Sequence, residues 1–356
     1  MATALDASTL RESTDASAAL AAAEERAAPS SNLASAARRF GDQFPLLRRQ
    51  WPIRVSGALV LALMLFYVPW LFAHLDTATP WLAWPFLLAN LLSAACVTLS
   101  VVNGWSTKVT PRRPIAGPDA PEVAVIIPTW GEPVPMVLRT VLSVLEQDYP
   151  RDRLHLVVSD DAHNPALAAA LEGLSVVYHE PPPRNAPGRD GAAKVGNLNS
   201  ALDMVLSRFP SVEHIETRDA DDEIGTHNFL RHTVGQLEFD RRLAFVQTVK
   251  EAQVSAGDPF VNLDGQFYRC QMLSRNAANA VFPCGSGLVW RRAALEDIGG
   301  FPAWNLVEDL QSGVEALRRG WRAAISRSSA RLLSTARRTL PTCSSSEAPG
   351  RSTPSA

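Results

Sequence analysis

Two stretches without a charged residue constrain this 356-residue chain more than any other feature. Val55 to Leu75 (VSGALVLALMLFYVPWLFAHL) runs 21 residues and Trp81 to Asn103 (WLAWPFLLANLLSAACVTLSVVN) runs 23, with no Asp, Glu, Lys or Arg in either. As helices rising about 1.5 Å per residue, each can cross a hydrocarbon core of about 30 Å. Trp51, Trp70, Trp81, Trp84 and Trp105 fall near the ends, where amphipathic rings settle at headgroup level. Core helices of soluble proteins rarely stay uncharged for so long, so residues 51–105 are expected to form two transmembrane helices in a lipid bilayer. Arg38, Arg39, Arg48, Arg49 and Arg54 precede the first span, Lys108, Arg112 and Arg113 follow the second, and the loop from Asp76 to Pro80 has no Lys or Arg. The positive-inside rule then places the N-tail and everything after Trp105 in the cytoplasm. The first apolar stretch starts far from the N-terminus and lacks a small-residue cleavage site, which argues against a signal peptide.

Composition excludes several classes. A net charge of −2 provides no basic field to attract nucleic acid. Cys96, Cys270, Cys284 and Cys343 are scattered, with no CxxC pair and no histidine at zinc spacing, and read as reduced structural residues. Residues 1–50 form an N-tail whose first 35 or so positions, rich in Ala and Ser, read as disordered. Ala36 to Trp51 mixes Arg with Phe and Leu, as a segment lying on a membrane surface does. Residues 106–121 are polar and proline-rich, and read as a linker.

From Val123 the pattern changes to alternating strand and helix. VAVIIP (Val123–Pro128) is a near-continuous apolar run, as expected of a parallel strand buried on both faces. Helical periodicity follows over Pro135–Gln147, then a strand over Leu154–Ser159, a helix over Asn164–Leu171 and a strand over Leu174–His179. Gly196–Phe209 reads as a helix and His214–Thr217 as a short strand. This order predicts an α/β fold with a mostly parallel open sheet, whose ligands bind outside the carboxyl ends of the strands.

The acidic residues gather at those ends. Asp160 and Asp161 close one strand, and the like charges of such a pair need a cation, hydrogen bonds or a ligand to offset them. Asp219-Ala220-Asp221 closes another, an arrangement that can hold a divalent metal on a diphosphate or be a solvated acidic turn. Glu308-Asp309 heads the amphipathic stretch LQSGVEALRRG, where acids serve the helix dipole or act as a general base. Lys194, Gly196 and Asn197 at a helix start suit either phosphate or uridine contacts or capping. Gly285 and Ser286 lie in a small-residue turn that lets backbone approach a ligand closely.

In order, the chain reads VAVIIPTWGEP, VVSDDAH, KVGNLN, RDADDE, FPCGSGLVWRR and LVEDLQSG. This series resembles the family-2 processive glycosyltransferases of bacterial membranes, in particular the cellulose synthase catalytic subunits, from about Val123 to Trp321. The resemblance implies a GT-A domain over residues 122–324 and localisation in the bacterial inner membrane. It implies inverting transfer from a UDP-sugar donor, UDP-glucose foremost, to a glycan acceptor, with Mg2+ or Mn2+ as cofactor and accessory synthase subunits as partners. On this likeness Asp160 and Asp161 lie at the uridine end, with Lys194, Asn197, Gly285 and Ser286 also in the substrate site. Asp219 and Asp221 hold the metal and Asp309 is the catalytic base, with Val307 where the family has Thr. The alternatives are a synthase of another polysaccharide or lipid-linked sugar, and a non-catalytic membrane remnant. A Rossmann dinucleotide enzyme is disfavoured, because TWGEP rather than GxGxxG follows the first strand.

After Trp321 the family continues with a strand, a Q-x-x-R-W segment and further membrane helices. Here ISRSSARLLSTARRTLPTCSSSEAPGRSTPSA follows, rich in Arg, Ser, Thr and Pro. Read two bases out of phase, with synonymous codons chosen freely, Ile325 onward yields a strand-like and then amphipathic segment that reaches Gln-Arg-Gly. The expectation is therefore a frameshift or truncation near Ala324, a disordered and out-of-family tail over 325–356, and no sustained polymer synthesis by this chain.

Overall fold

The computed structural model describes residues 50–108, 110, 119–191, 193–252, 267–326 and 333–334. The two uncharged spans form α1 (Gln50–Ala73) and α2 (Pro80–Gly104), both long and apolar enough to cross a membrane. They pack against each other, and the Tyr67 hydroxyl donates to Asn90 Oδ1 at 2.7 Å. Their remaining apolar side chains, such as Leu65, Phe66 and Trp81, face outward.

The linker then docks onto the α/β domain. Lys108 N donates to Leu273 O at 3.0 Å, and Asn276 Nδ2 donates to Lys108 O and Thr110 Oγ1. Thr110 also forms a parallel bridge with Ser326 at the sheet edge.

The main elements in chain order are β1 (Glu122–Thr129), α3 (Val134–Leu145), β2 (Leu154–Asp160), α4 (Pro165–Leu171), β3 (Val176–His179), α5 (Ala193–Arg208), β4 (Val212–Thr217) and β5 (Asp222–Glu223). They continue as α6 (Phe229–Phe239), β6 (Leu243–Thr248), β7 (Glu251–Ala252), α7 (Met272–Ala277), β8 (Leu288–Arg291), α8 (Arg292–Ile298), α9 (Glu308–Arg318), β9 (Arg322–Ser326) and β10 (Leu333–Ser334). Seven strands make one sheet in the order β3-β2-β1-β4-β8-β6-β9. All neighbours are parallel except β8, which runs antiparallel to both β4 and β6. A small second sheet joins β5, β10 and β7.

Successive side chains of a strand point to opposite faces, and β1 shows the result. Val123, Val125 and Ile127 enter one core with Val137, Val141 and Leu230, while Ala124 and Ile126 enter another with Leu198, Leu202, Met272 and Trp290. Both cores exclude water, which explains why the strand reads as a continuous apolar run.

Two sequence expectations differ from the structure at their edges. Helix α5 starts at Ala193 rather than Gly196, so Lys194 lies in its first turn. Strand β9 continues two residues past Ala324: Ile325 and Ser326 are buried, and Gln236 Nε2 donates to Ser326 Oγ at 3.0 Å. The expected break at 325 therefore cuts into a packed strand, and Leu333–Ser334, within the segment expected to be disordered, pairs with β5 and β7. The rest of the 325–356 segment and the tail before Gln50 lie outside the described residues.

Candidate functional site

A cavity of about 500 Å³ opens at the carboxyl ends of β1, β2 and β4. Of the residues singled out from sequence, Asp161, Lys194, Asn197, Asp219 and Asp221 line it. The order of the strands places them together: β2 and β4 flank β1, so their terminal aspartates stand on either side of the β1 end.

Asp160 turns away from this space. Its carboxylate is fully buried, accepting from Thr129 Oγ1 and Ala162 N at Oδ1 and from Asn164 N and Tyr178 OH at Oδ2. With every acceptor position occupied, it fixes the loop after β2 and leaves the cavity to its neighbour. Asp161 faces the cavity and pairs with two guanidiniums, Arg184 Nε at 2.5 Å and Arg189 Nη1 at 2.6 Å. Asn197 Nδ2 donates to Ser159 O at 2.8 Å and Thr129 O at 3.3 Å, joining the ends of β1 and β2.

At the other end, Lys194 pairs with Asp219. Burial works to raise the Asp219 pKa, but Lys194 and Lys250 outweigh it and hold the carboxyl below its ordinary range. Burial, together with the nearby charges of Asp222 and Asp219, pushes Asp221 above its ordinary range. Lys250 is 2.9 Å from Asp222 Oδ2 and 3.7 Å from Asp219 Oδ2. Three carboxylates thus face two ammonium groups, and Asp221 has the least compensation.

That imbalance is the observation relevant to a metal. Two oxygen donors at i and i+2 with surplus negative charge suit a hard divalent cation. Among the described residues no cluster of three or more His, Cys, Asp or Glu could hold one unaided. A cation held by Asp219 and Asp221 would need further ligands from outside the described side chains, and the residues fit that use.

The turn before β8 brings in the last group. Ser286 is fully buried and its Oγ accepts from Asp219 N at 3.0 Å, so it anchors the aspartate loop and does not line the cavity. Gly285 has φ +73°, and a Cβ there would lie 3.2 Å from Asp309 Oδ2 and 3.6 Å from Lys194 Nζ. A Cβ would crowd Asp309 and only touch Lys194, and the positive φ itself favours glycine. Asp309, in the first turn of α9, thus approaches the lysine that pairs with Asp219. Beside it, burial raises the Glu308 pKa.

Sequence reasoning missed Arg184, Arg189, Lys250 and Trp130. The first two sit in the loop PPPRNAPGRDG, which carries no spacing signal, and Trp130 read only as part of TWGEP.

Comparison with known proteins bears on the family and the fold. The model of Glycosyltransferase like family 2 matches residues 120–347. The chain belongs to this family. It is 32% identical over 251 residues to the cellulose synthase 1 catalytic subunit (UDP-forming) of Komagataeibacter xylinus, covering 67% of this chain and 32% of that protein. It is 31% identical over 214 residues to the cellulose synthase catalytic subunit (UDP-forming) of Xanthomonas axonopodis pv. citri, covering 57% of this chain and 27% of that one. The chain therefore spans about a third or less of these relatives' length. Among solved structures, the mannosyltransferase PcManGT from Pyrobaculum calidifontis, in complex with GDP-Man and Mn2+, superposes with a TM-score of 0.53 at 25% identity, covering 70% of this chain and 69% of that one. The domain is a cellulose-synthase-like glycosyltransferase of GT-A fold, preceded by two apolar helices. The family match extends past Ala324, beyond the expected end of the resemblance.

Proposed function

We propose that this glycosyltransferase transfers glucose from UDP-glucose to the growing end of a β-linked polysaccharide such as cellulose, by a metal-dependent inverting displacement on the cytoplasmic side of a bacterial membrane. The observation that supports it most is that Asp221, Asp219 and Lys194 line one cavity at the strand ends, with Asp309 outside its lining but next to the same Gly285 position that Lys194 approaches. Asp161 and Asn197 mark the nucleoside end.

Each residue has work suited to its charge. Asp309 accepts the proton of the acceptor hydroxyl as that oxygen attacks the anomeric carbon from the face opposite the leaving diphosphate. Lys194 pairs with Asp219 and lies near the Gly285 turn that Asp309 also approaches, so its ammonium can offset charge developing on the departing UDP. Gly285 keeps the approach to Asp309 clear. Asp219 and Asp221 would hold Mg2+ or Mn2+, which when bound supplies charge neutralisation on the diphosphate. The names of the two cellulose synthases favour UDP as the nucleotide, and accessory subunits belong to the same reading.

A second reading has its own support, since the solved mannosyltransferase carries GDP-Man and so shares this fold with a different donor. A donor panel separates the two. Purified chain in detergent with Mg2+ or Mn2+ is expected to transfer sugar from, or hydrolyse, UDP-glucose in preference to GDP-mannose and UDP-N-acetylglucosamine. Asp309→Asn is expected to lower transfer at least a hundredfold with UDP binding intact, within the ~10²–10⁴-fold range of general-base catalysis. Asp221→Ala is expected to abolish metal-dependent UDP binding. Binding of UDP to Asp221→Ala as tight as wild type, with the metal still required, contradicts the donor-site assignment.

A further inference from the structure

A second cavity, of about 180 Å³, lies at the β9 edge of the sheet, where the linker docks on β9 and α7. It shares no lining residue with the cavity at the strand ends. Leu243, Ala323 and Ala324 give it a buried apolar floor, and Lys108, Thr110, Asp240 and Arg322 supply charge and hydrogen-bonding groups.

Positive charge is in surplus here. Asp240 takes Arg322 Nη1 at 3.0 Å on Oδ2 and Arg242 Nε at 3.4 Å on Oδ1. Burial works to raise the Asp240 pKa, but hydrogen bonds from Arg242 and the charges of Arg242 and Arg322 hold it below its ordinary range. Two guanidiniums thus share one ionised carboxylate. Arg322 meets it through Nη1, and among the described residues its Nε and Nη2 have no partner. Lys108 adds a third cation. Its backbone is bonded to Leu273 and Asn276, while its ammonium has no ion-pair partner among the described residues. Thr110 Oγ1 accepts from Asn276 Nδ2 at 3.0 Å, which leaves the hydroxyl proton to donate. The C-terminal end of α6 opposes an anion, but its Leu237 carbonyl is capped by Arg291.

The cavity also sits beside the ends of the two apolar helices. Gln50 Nε2 donates to Thr107 O at 2.9 Å and Arg54 Nε to Trp105 O at 3.2 Å, so residues 105–107 are level with the first turns of α1. Helix α7, which supplies Asn276 to the cavity, packs against α2. Phe239 at the rim is 64% exposed. With α1 and α2 across a bilayer, the opening lies at headgroup depth.

Arg and Lys both bind phosphate oxygens, and basic pockets at the cytoplasmic ends of membrane helices take anionic headgroups. The volume is below the roughly 300–1,000 Å³ of drug-sized ligand sites, which suits a headgroup phosphate whose acyl chains stay outside. We propose that this cavity binds the phosphodiester of an anionic phospholipid through Lys108, Arg322 and Thr110, with Phe239 on the acyl side. The site is separate from sugar transfer: it rests on the membrane placement of α1 and α2, not on the donor-site reading.

The test is native mass spectrometry of the full chain released from detergent, titrated with phosphatidylglycerol, phosphatidylcholine and, as the free anion, inorganic phosphate. Wild type is expected to retain one phosphatidylglycerol about tenfold more tightly than phosphatidylcholine. Lys108→Ala and Arg322→Gln are each expected to weaken phosphatidylglycerol about fivefold, with phosphatidylcholine and UDP binding unchanged. Arg151→Ala, an exposed cation before β2 near the far edge of the sheet, is expected to behave as wild type. Arg322→Gln also loosens Asp240, so Lys108→Ala, whose contacts in the fold are made by backbone, decides the matter if the former unfolds. Equal retention of the two lipids overturns the proposal, as does phosphatidylglycerol retention unchanged in Lys108→Ala. An equal loss in Arg151→Ala overturns it too, because that result belongs to diffuse charge. Inorganic phosphate bound through Lys108 without retention of phosphatidylglycerol makes this a free-anion site and overturns the lipid. A chain that retains no lipid yet binds UDP overturns this inference and leaves the proposed transfer chemistry standing.

Discussion

Asn197 shows how a single amide sets the site. Its Nδ2 donates to the carbonyls of Thr129 and Ser159, at the ends of adjacent strands, and the side chain is almost fully buried. Asn197→Asp removes both donors and puts a carboxylate against two carbonyl oxygens. Thr129 O still accepts from Asp161 N, but a buried carboxylate set against carbonyl oxygens costs at least about 1–3 kcal/mol, so thermal melts should show a marked drop in stability and UDP titration a loss of affinity. Glu216 gives a second residue-scale prediction. Burial pushes its pKa up from 4.5 to about 7, against the opposing pull of the buried Arg218. Between those values the folded chain holds a proton that the unfolded chain has released. The contribution of this group is therefore fully present below about pH 4.5 and lost as pH rises through about 7, with a slope of at most about 1.4 kcal/mol per pH unit. Melting temperatures across pH 5 to 8 should show this decline, and Glu216→Gln should flatten it. Neither role was legible in the sequence: Asn197 was singled out for ligand contact or capping, and Glu216 is an ordinary polar position in a short strand.

At the level of elements, the first half of the domain was readable because its strands are buried on both faces and its helices keep clear periodicity. The strands from β6 onward were not separated from their surroundings. LVWR is a four-residue strand immediately followed by a helix, and its antiparallel course between two parallel neighbours carries no local signal. The position of α9 depends on a contact that sequence also hides. Gly313 faces Pro283, and a Cβ there would lie 2.3 Å from Pro283 Cδ. Alanine at a helical position normally gains about 1 kcal/mol over glycine, but overpacking costs about 1–3 kcal/mol, and at this distance the clash dominates. Gly313→Ala should lower the melting temperature and, by shifting α9, reduce turnover more than donor affinity. Comparing kcat with the UDP dissociation constant checks this. Increased stability with unchanged turnover would show that the contact is loose.

For the whole molecule, the two uncharged spans and the flanking arginines carry a topological prediction. With both N-tail and catalytic domain on the cytoplasmic side, protease added outside spheroplasts should spare the domain, and protease added to inverted vesicles should digest it. The family was legible because the aspartates occur in order with the other motifs of the series, whereas each set alone had an ordinary structural reading. Their division of labour came from three dimensions: Asp160 and Asp161 are adjacent in sequence, yet one braces a loop and the other faces the cavity.

The docked linker sets the working height of the enzyme. Helix α2 ends at Gly104, and by Lys108 the backbone is already bonded to α7. Four residues span at most about 14 Å even when extended. The catalytic domain is thus held on a short rigid mount rather than a swinging tether. If the two apolar helices cross a bilayer as proposed, the cavity at the strand ends keeps a nearly fixed height above it, and whatever the enzyme acts on has to come to that height.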